Sequence, residues 1–150
     1  MERLKTILNS KVTKTAEVIW NSNLIERNKV SAHNMFIISK LTYSFGIINW
    51  TIEELKKLDR KIRKIIVKAR GFNMHSSIKR LYLNRKEGGR GIMNIEHAHN
   101  KAVVSLVAYI FNVKSEHAKL IKESWVQKKA GTLLKKAEDI VEEMNLDVNR

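Results

Sequence analysis

The stretch WTIEELKKLDRKIRKIIVKARG, Trp50 to Gly71, fits one regular structure and carries its own start and stop signals. Thr51, followed three residues later by Glu54, is a capping box, in which each side chain satisfies the other residue's backbone N–H. Trp50 and Leu55 hold the positions of a hydrophobic staple across that cap. Ile52, Leu55, Leu58, Ile62, Ile65, Ile66 and Ala69 recur at three- and four-residue spacing, so they share one face. Lys56, Lys57, Arg60, Lys61, Arg63, Lys64 and Lys68 fall on the other. Gly71 stands where a left-handed C-cap is needed, with Phe72 placed to pack back on Val67. The expected helix buries one side and shows solvent a row of cations. A glycine-containing segment continues from it to Gly91.

The rest of the composition leaves this helix in helical company. None of the 150 residues is proline and only six are glycine, which suits long uninterrupted helices. The length suffices for one domain with a real core. Without cysteine there is no disulfide framework, iron–sulfur cluster or cysteine-based zinc site. The N-terminus alternates charged and apolar residues without a signal-peptide core. No run approaches the roughly 20 apolar residues of a membrane helix. A soluble, intracellular chain without a membrane partner is expected, with nucleus and cytoplasm left open.

The net charge of +14 is unevenly spread: +4 over residues 1–51, +9 over 52–90 and +1 over 91–150. A field of that sign concentrated on one segment favours polyanions and makes their binding salt-sensitive. The plainer alternative is a solvated helix face.

Leu4, Ile7, Leu8 and Val12 make a first helical stripe, followed by Ala16 to Leu24 with a turn at Asn21 to Asn23. From Glu26 onward, Val30, Ile37, Leu41, Phe45 and Ile48 are spaced for a second helix, with Phe36, Ile38 and Tyr43 beside them. Gly46 sits inside it and carries a propensity cost against an unbroken helix. After Gly71, Ser76 or Ser77 is placed to cap a short helical turn, and Leu81–Leu83 reads as extended. Gly88, Gly89 and Gly91 then predict a hairpin pairing residues near 81–83 with residues near 91–93. The glycines lack the spacing of a phosphate loop. Asn94 caps a helix bearing Ile95, Ala98, Ala102, Val103, Leu106, Tyr109 and Ile110 on one face. Val104, Val107 and Ala108 widen that face almost all round, as in a helix buried centrally or in a partner interface. Ser115 caps a last helical region carrying Leu120, Ile121, Trp125, Leu133, Leu134, Ile140, Val141 and Met144. Gly131 splits it, and its mixed charges suit an exposed surface.

Catalytic patterns are missing. His33, His75, His97, His99 and His117 form no metal-ligand spacing, and His97 and His99 point to different faces. The aspartates, Asp59, Asp139 and Asp147, do not gather in a strand-turn context, and Asp59 most simply pairs with Arg63 one turn on. No nucleophile elbow or glycine fingerprint is present. The residues read as a binding or scaffold protein without a cofactor.

YSFGIINWT (Tyr43 to Thr51), LDRKIRK (Leu58 to Lys64) and RLYLNRKEGGRGI (Arg80 to Ile92) together resemble the C-terminal part of reverse transcriptases from non-LTR retrotransposons, the R2-like group in particular. The resemblance runs in matching order over roughly residues 3 to 111. In that family the region forms the thumb, a helical bundle gripping the template–primer duplex, and the segment just after it. It implies that Lys56, Lys57, Arg60, Lys61, Arg63 and Lys64 lie on a thumb-like helix. Arg80, Arg85, Lys86 and Arg90 match basic positions of the post-thumb motif. Asn84 stands where the family usually has proline, and Ile62 where it has threonine. The palm with its catalytic aspartates has no counterpart in these residues. The resemblance therefore implies either a fragment of a retroelement polymerase or a domain put to separate use.

The expected fold is mainly α: a thumb-like helical bundle with a short Gly-rich loop or β-hairpin near residues 81–93. It reads as a single domain, with thumb-like helices over 1–71, a basic loop segment over 72–93 and C-terminal helices over 94–150. The expected function is non-catalytic binding to the phosphates of RNA or an RNA–DNA duplex. Lys56, Lys57, Arg60, Lys61, Arg63, Lys64, Lys68, Arg80, Arg85, Lys86 and Arg90 are the candidate contacts. The alternative is a protein-interaction or homo-oligomerisation module that uses residues 95–111.

Overall fold

The computed structural model of the chain describes residues 2–69, 73, 75, 77–128 and 132–148, and it is mainly helical, with no strand among them. It comprises two compact units, Met1–Ala98 and His99–Arg150. The boundary falls inside a helix, Ile95–Asn112.

In the first unit, α1 (Glu2–Trp20) packs on α4 (Ile52–Lys68) and on the helical stretch formed by α2 (Glu26–Ala32), a π-helical segment (His33–Ile38) and α3 (Ser39–Phe45). The expected turn lies at residues 21–23, and α3 ends at Gly46. The π-helical segment accommodates an extra residue in the helical register. Ile37 and Ile38 are both buried as a result, and Phe36 is exposed. Val12, Ala16, Leu41, Phe45, Leu55, Ile62 and Ile66 fill the core around Trp20 and Trp50, the largest fully buried side chains. Each indole N–H has a partner. Trp20 Nε1 donates to His33 Nδ1 at 3.1 Å, and Trp50 Nε1 donates to Ser44 Oγ at 3.0 Å.

The stripe expected on α1 is displaced. Leu4 and Ile7 are exposed and Leu8 half-buried, whereas Lys5 is buried along with Val12, Ala16, Ile19 and Trp20. The Lys5 ammonium donates to both carboxylate oxygens of Glu54, at 3.0 and 2.9 Å, and lies 5.8 Å from the Trp50 ring centroid. A charged head with an apolar stem thus takes a place that periodicity assigns to leucine.

The hairpin expected over 81–93 does not form. Residues Ile78–Tyr82 make a short helix, α5, and Arg85–Glu87 a 3₁₀ turn. Leu81 and Tyr82, read as extended, are helical, because Leu81 turns inward to a fully buried site. The chain still folds back on itself, as Arg90 N–H donates to Arg80 O, Gly91 to Leu83 O and Ile92 to Leu81 O. Ser77 precedes α5 without a side-chain cap bond, and Ser76, Gly71 and Phe72 lie outside the described residues.

The second unit takes most of α6 (Ile95–Asn112), with α7 (Glu116–Lys128) and α8 (Leu133–Val148). Both expected caps are present: Asn94 Oδ1 accepts from Glu96 N–H at 2.9 Å, and Ser115 Oγ from Ala118 N–H at 3.2 Å. The last region divides between Lys128 and Leu133, with Gly131 outside the described residues. The buried cluster is Val103, Val107, Ala137 and Ile140, with Val104, Trp125, Leu133 and Leu134 packed against it. Tyr109, assigned by periodicity to the apolar face of α6, is 65% exposed, and Val107, assigned to its flank, is buried. The Phe111 and Trp125 rings stack at 6.5 Å, and Lys122 Nζ donates to Phe111 O at 3.0 Å. Among the described residues no helix is long and apolar enough to cross a membrane.

Candidate nucleic-acid interface

The outer face of α4 is set by its N-terminus. Thr51 Oγ1 accepts from Glu54 N–H at 3.2 Å, and Thr51 N–H donates to Glu54 Oε2 at 3.0 Å, completing the capping box. Those bonds, the Thr51 N–H first and then the Lys5 ammonium, hold the Glu54 carboxyl below its ordinary value. With Leu55, Leu58, Ile62 and Ile66 buried, helical geometry directs Lys56, Lys57, Arg60, Lys61, Lys64 and Lys68 to the opposite side, and all six are exposed. From Lys56 to Lys68 the row is about 18 Å long.

The acids of α4 leave this row largely uncompensated. Glu54 is engaged by the cap and by Lys5, and Asp59 by Arg63 and the Tyr82 hydroxyl, both of which donate to it. Glu53 is exposed near the start. No salt bridge joins any of the six cations to an acid among the described residues.

Arg63 departs from the expected set. Its guanidinium donates to Asp59 and, at 3.0 Å, to the Tyr82 oxygen, so it ties α5 to α4 instead of joining the outer row. Burial raises the Asp59 carboxyl above its usual value, against the opposing pull of Tyr82 and Arg63. Burial first, and Asp59 second, push the Tyr82 phenol well above its own. Beside this network lies a cleft of ≈ 280 Å³, flanked by Lys56 and Lys79. Lys79 is an exposed cation that sequence reasoning passed over, because nothing local signals that α5 lies beside α4.

The second basic segment is held by long-range bonds. Asn34 Nδ2 donates to Gly91 O at 3.0 Å, and Asn34 Oδ1 accepts from Met93 N–H at 3.0 Å, clamping residues 91–93 to the π-helical segment. Gly88 sits at φ 83°, the left-handed region. A Cβ on Gly89 would stand 2.1 Å from the Leu83 carbonyl oxygen, so that close approach needs glycine. Asn84 has φ −61°, a value that a proline ring also imposes, so the turn backbone accepts either residue. Arg80, Arg85 and Lys86 are exposed on this segment, with Arg80 Nε donating weakly to Gly88 O at 3.4 Å. Arg90 is ion-paired with Glu26. Of the eleven expected contacts, six form the α4 row, three stand on α5 and the 3₁₀ turn, and Arg63 and Arg90 are spent on structure.

The histidines are dispersed. His33 and His99 are buried, His75, His97 and His117 exposed, and no metal-binding group of His, Asp or Glu gathers among the described residues. Comparison with known protein families, curated proteins and solved structures finds no match for this chain.

Proposed function

We propose that the chain is a non-catalytic nucleic-acid-binding module, resembling a reverse transcriptase thumb, that grips RNA or an RNA–DNA duplex through its phosphates. The observation that carries this reading is the row Lys56, Lys57, Arg60, Lys61, Lys64 and Lys68, exposed and unpaired with acids among the described residues. A face that served only solubility would gain from interleaved acids, which lower self-repulsion. Here two of the helix's three acids, Glu54 and Asp59, are drawn into a cap and a half-buried network, which strengthens the field at the outer face. Cations on a rigid helix, without aromatics between them, contact phosphates and sense duplex shape, and they leave base sequence unread. Arg80, Arg85 and Lys86 supply a second, shorter set of phosphate contacts.

The test is binding to a blunt RNA duplex and an RNA–DNA hybrid, followed by fluorescence anisotropy across a salt series. Affinity falls steeply with salt, and replacing Lys57, Lys61 and Lys64 with glutamate flattens the log–log slope by about one per lysine. Arg63→Ala leaves that slope unchanged. Undetectable or salt-independent binding by the folded chain would refute the reading.

A further inference from the structure

The second unit leaves an apolar groove of ≈ 460 Å³ open between two of its helices. α6 lines it with Val104, Ala108 and Phe111, and α8 with Leu134, Val141 and the rim carboxylate Glu142. We infer that this groove seats a second copy of the chain, with the two α8 helices running antiparallel. The proposal is independent of nucleic-acid binding.

Two observations point to a second copy. The first is incomplete burial. The unit spans residues 99–150, and its buried cluster among the described residues is Val103, Val107, Ala137 and Ile140. Meanwhile Tyr109, Phe111, Val141 and Met144 are 65%, 44%, 42% and 53% exposed. A unit this small buries too little apolar surface to be comfortably stable alone, and oligomerisation is a common remedy.

The second is the order of charges on α8. Lys135 and Lys136 lie near its start and Glu142 and Glu143 in its second half, with no acid in the first turn and no base in the last. That order opposes the helix dipole, which favours acids at the start and bases at the end. The internal pair, Lys135 to Asp139 at 3.0 Å, also runs in the weaker base-before-acid direction. The pattern therefore does not serve α8 by itself.

An antiparallel copy of the same helix accounts for it. Lys135 and Glu142 are seven residues apart, so they share one flank of the groove face at a separation of about 10.5 Å. A twofold axis crossing α8 between Glu138 and Asp139 sets each copy's Lys135 opposite Glu142 of the other copy, on the flank of the groove face. The two dipoles then also oppose, and Val141 is covered in both copies. A parallel pairing would set like charges together. Glu138 faces like charge beside the axis, but it is exposed at the rim, where water screens it.

Sedimentation velocity on the full chain, treated with nuclease to remove bridging nucleic acid, tests the inference. A concentration-dependent monomer–dimer equilibrium is expected. Val141→Glu, at an exposed position that leaves α8 folded by circular dichroism, raises the dimer Kd roughly a hundredfold or more by burying an unpaired charge. Lys135→Glu alone and Glu142→Lys alone each weaken self-association. Mixed together, the two variants form a heterodimer, and both changes in one chain restore the homodimer. A chain that stays monomeric throughout, or a dimer indifferent to Val141→Glu and to both reversals, overturns the proposal.

Discussion

The unit Met1–Ala98 encloses Trp20, Trp50, Phe45 and a set of fully buried aliphatic side chains, whereas His99–Arg150 has a buried cluster of two valines, an alanine and an isoleucine among its described residues. The first unit also buries polar groups with partners, Trp20–His33 and Trp50–Ser44, and half-buries the Asp59–Tyr82–Arg63 network. The second holds its helix ends with lighter contacts, a Phe111–Trp125 stack and the Lys122 bond to a terminal carbonyl. A rigid scaffold suits a charged surface, because fixed cations lose less side-chain and backbone freedom on meeting phosphates. A thin core suits a unit whose remaining apolar surface is completed by another copy.

The contrast is tested most severely by core truncation. Trp50→Ala removes one of the largest buried side chains and its donation to the Ser44 hydroxyl, so it should cost the first unit about 3–5 kcal/mol. Ile140→Ala in the second unit should fall nearer ~2 kcal/mol, because its 7% exposed site adjoins the cluster's thin side and can relax. Urea denaturation gives both values. Equal costs would remove the distinction between a thick core and a thin one.

Acid should find the first unit next. Burial lowers the His33 imidazole to about 4, and Trp20 donates to its Nδ1, so the folded state holds it neutral. The unfolded chain titrates it near 6.5 and binds more protons between the two values. Stability is therefore fully present above pH 6.5, falls as pH drops towards 4, and loses nothing further from this group below that. The loss amounts to roughly 3 kcal/mol. His33→Gln, which keeps an acceptor for Trp20, should flatten the profile of denaturation midpoint against pH over that window. His99 in the second unit is also lowered, chiefly by burial, and acts in the same direction. A profile unchanged by His33→Gln would mean that His33 is not the acid-sensitive site.

Much of the fold was legible because its signals are local. The capping box at Thr51, the caps at Asn94 and Ser115, the turn at residues 21–23 and the two faces of α4 each need only a few neighbouring residues. What escaped was the choice of distant partners. Lys5 reaches Glu54 across 49 residues, Asn34 reaches Gly91 across 57, and Arg90 reaches Glu26 across 64. The Asp59–Arg63 pair follows from their spacing, but its Tyr82 partner does not, and composition marks Arg90 as equivalent to its neighbours until tertiary structure pairs it with Glu26. The π-helical segment was hidden for a related reason: a one-residue slip of register is decided by which of Ile37 and Ile38 the core can take, and it takes both.

The smallest effect separates the scaffold of α4 from its cations. Thr51→Ala removes the oxygen that accepts from Glu54 N–H and should cost about 1 kcal/mol. The alanine keeps its own backbone N–H, which remains able to donate to Glu54, and the Lys5 bonds to that carboxylate do not involve the lost hydroxyl. The first turn therefore loosens without being released, and Thr51→Ser, which retains the acceptor, should recover most of the loss. None of the six outward cations touches the cap, so the salt dependence of duplex binding should be the same for wild type and Thr51→Ala at temperatures where both are folded. A slope that fell along with stability would mean that the cap positions the cation row directly, and the rigidity of the first unit would then be part of its binding chemistry.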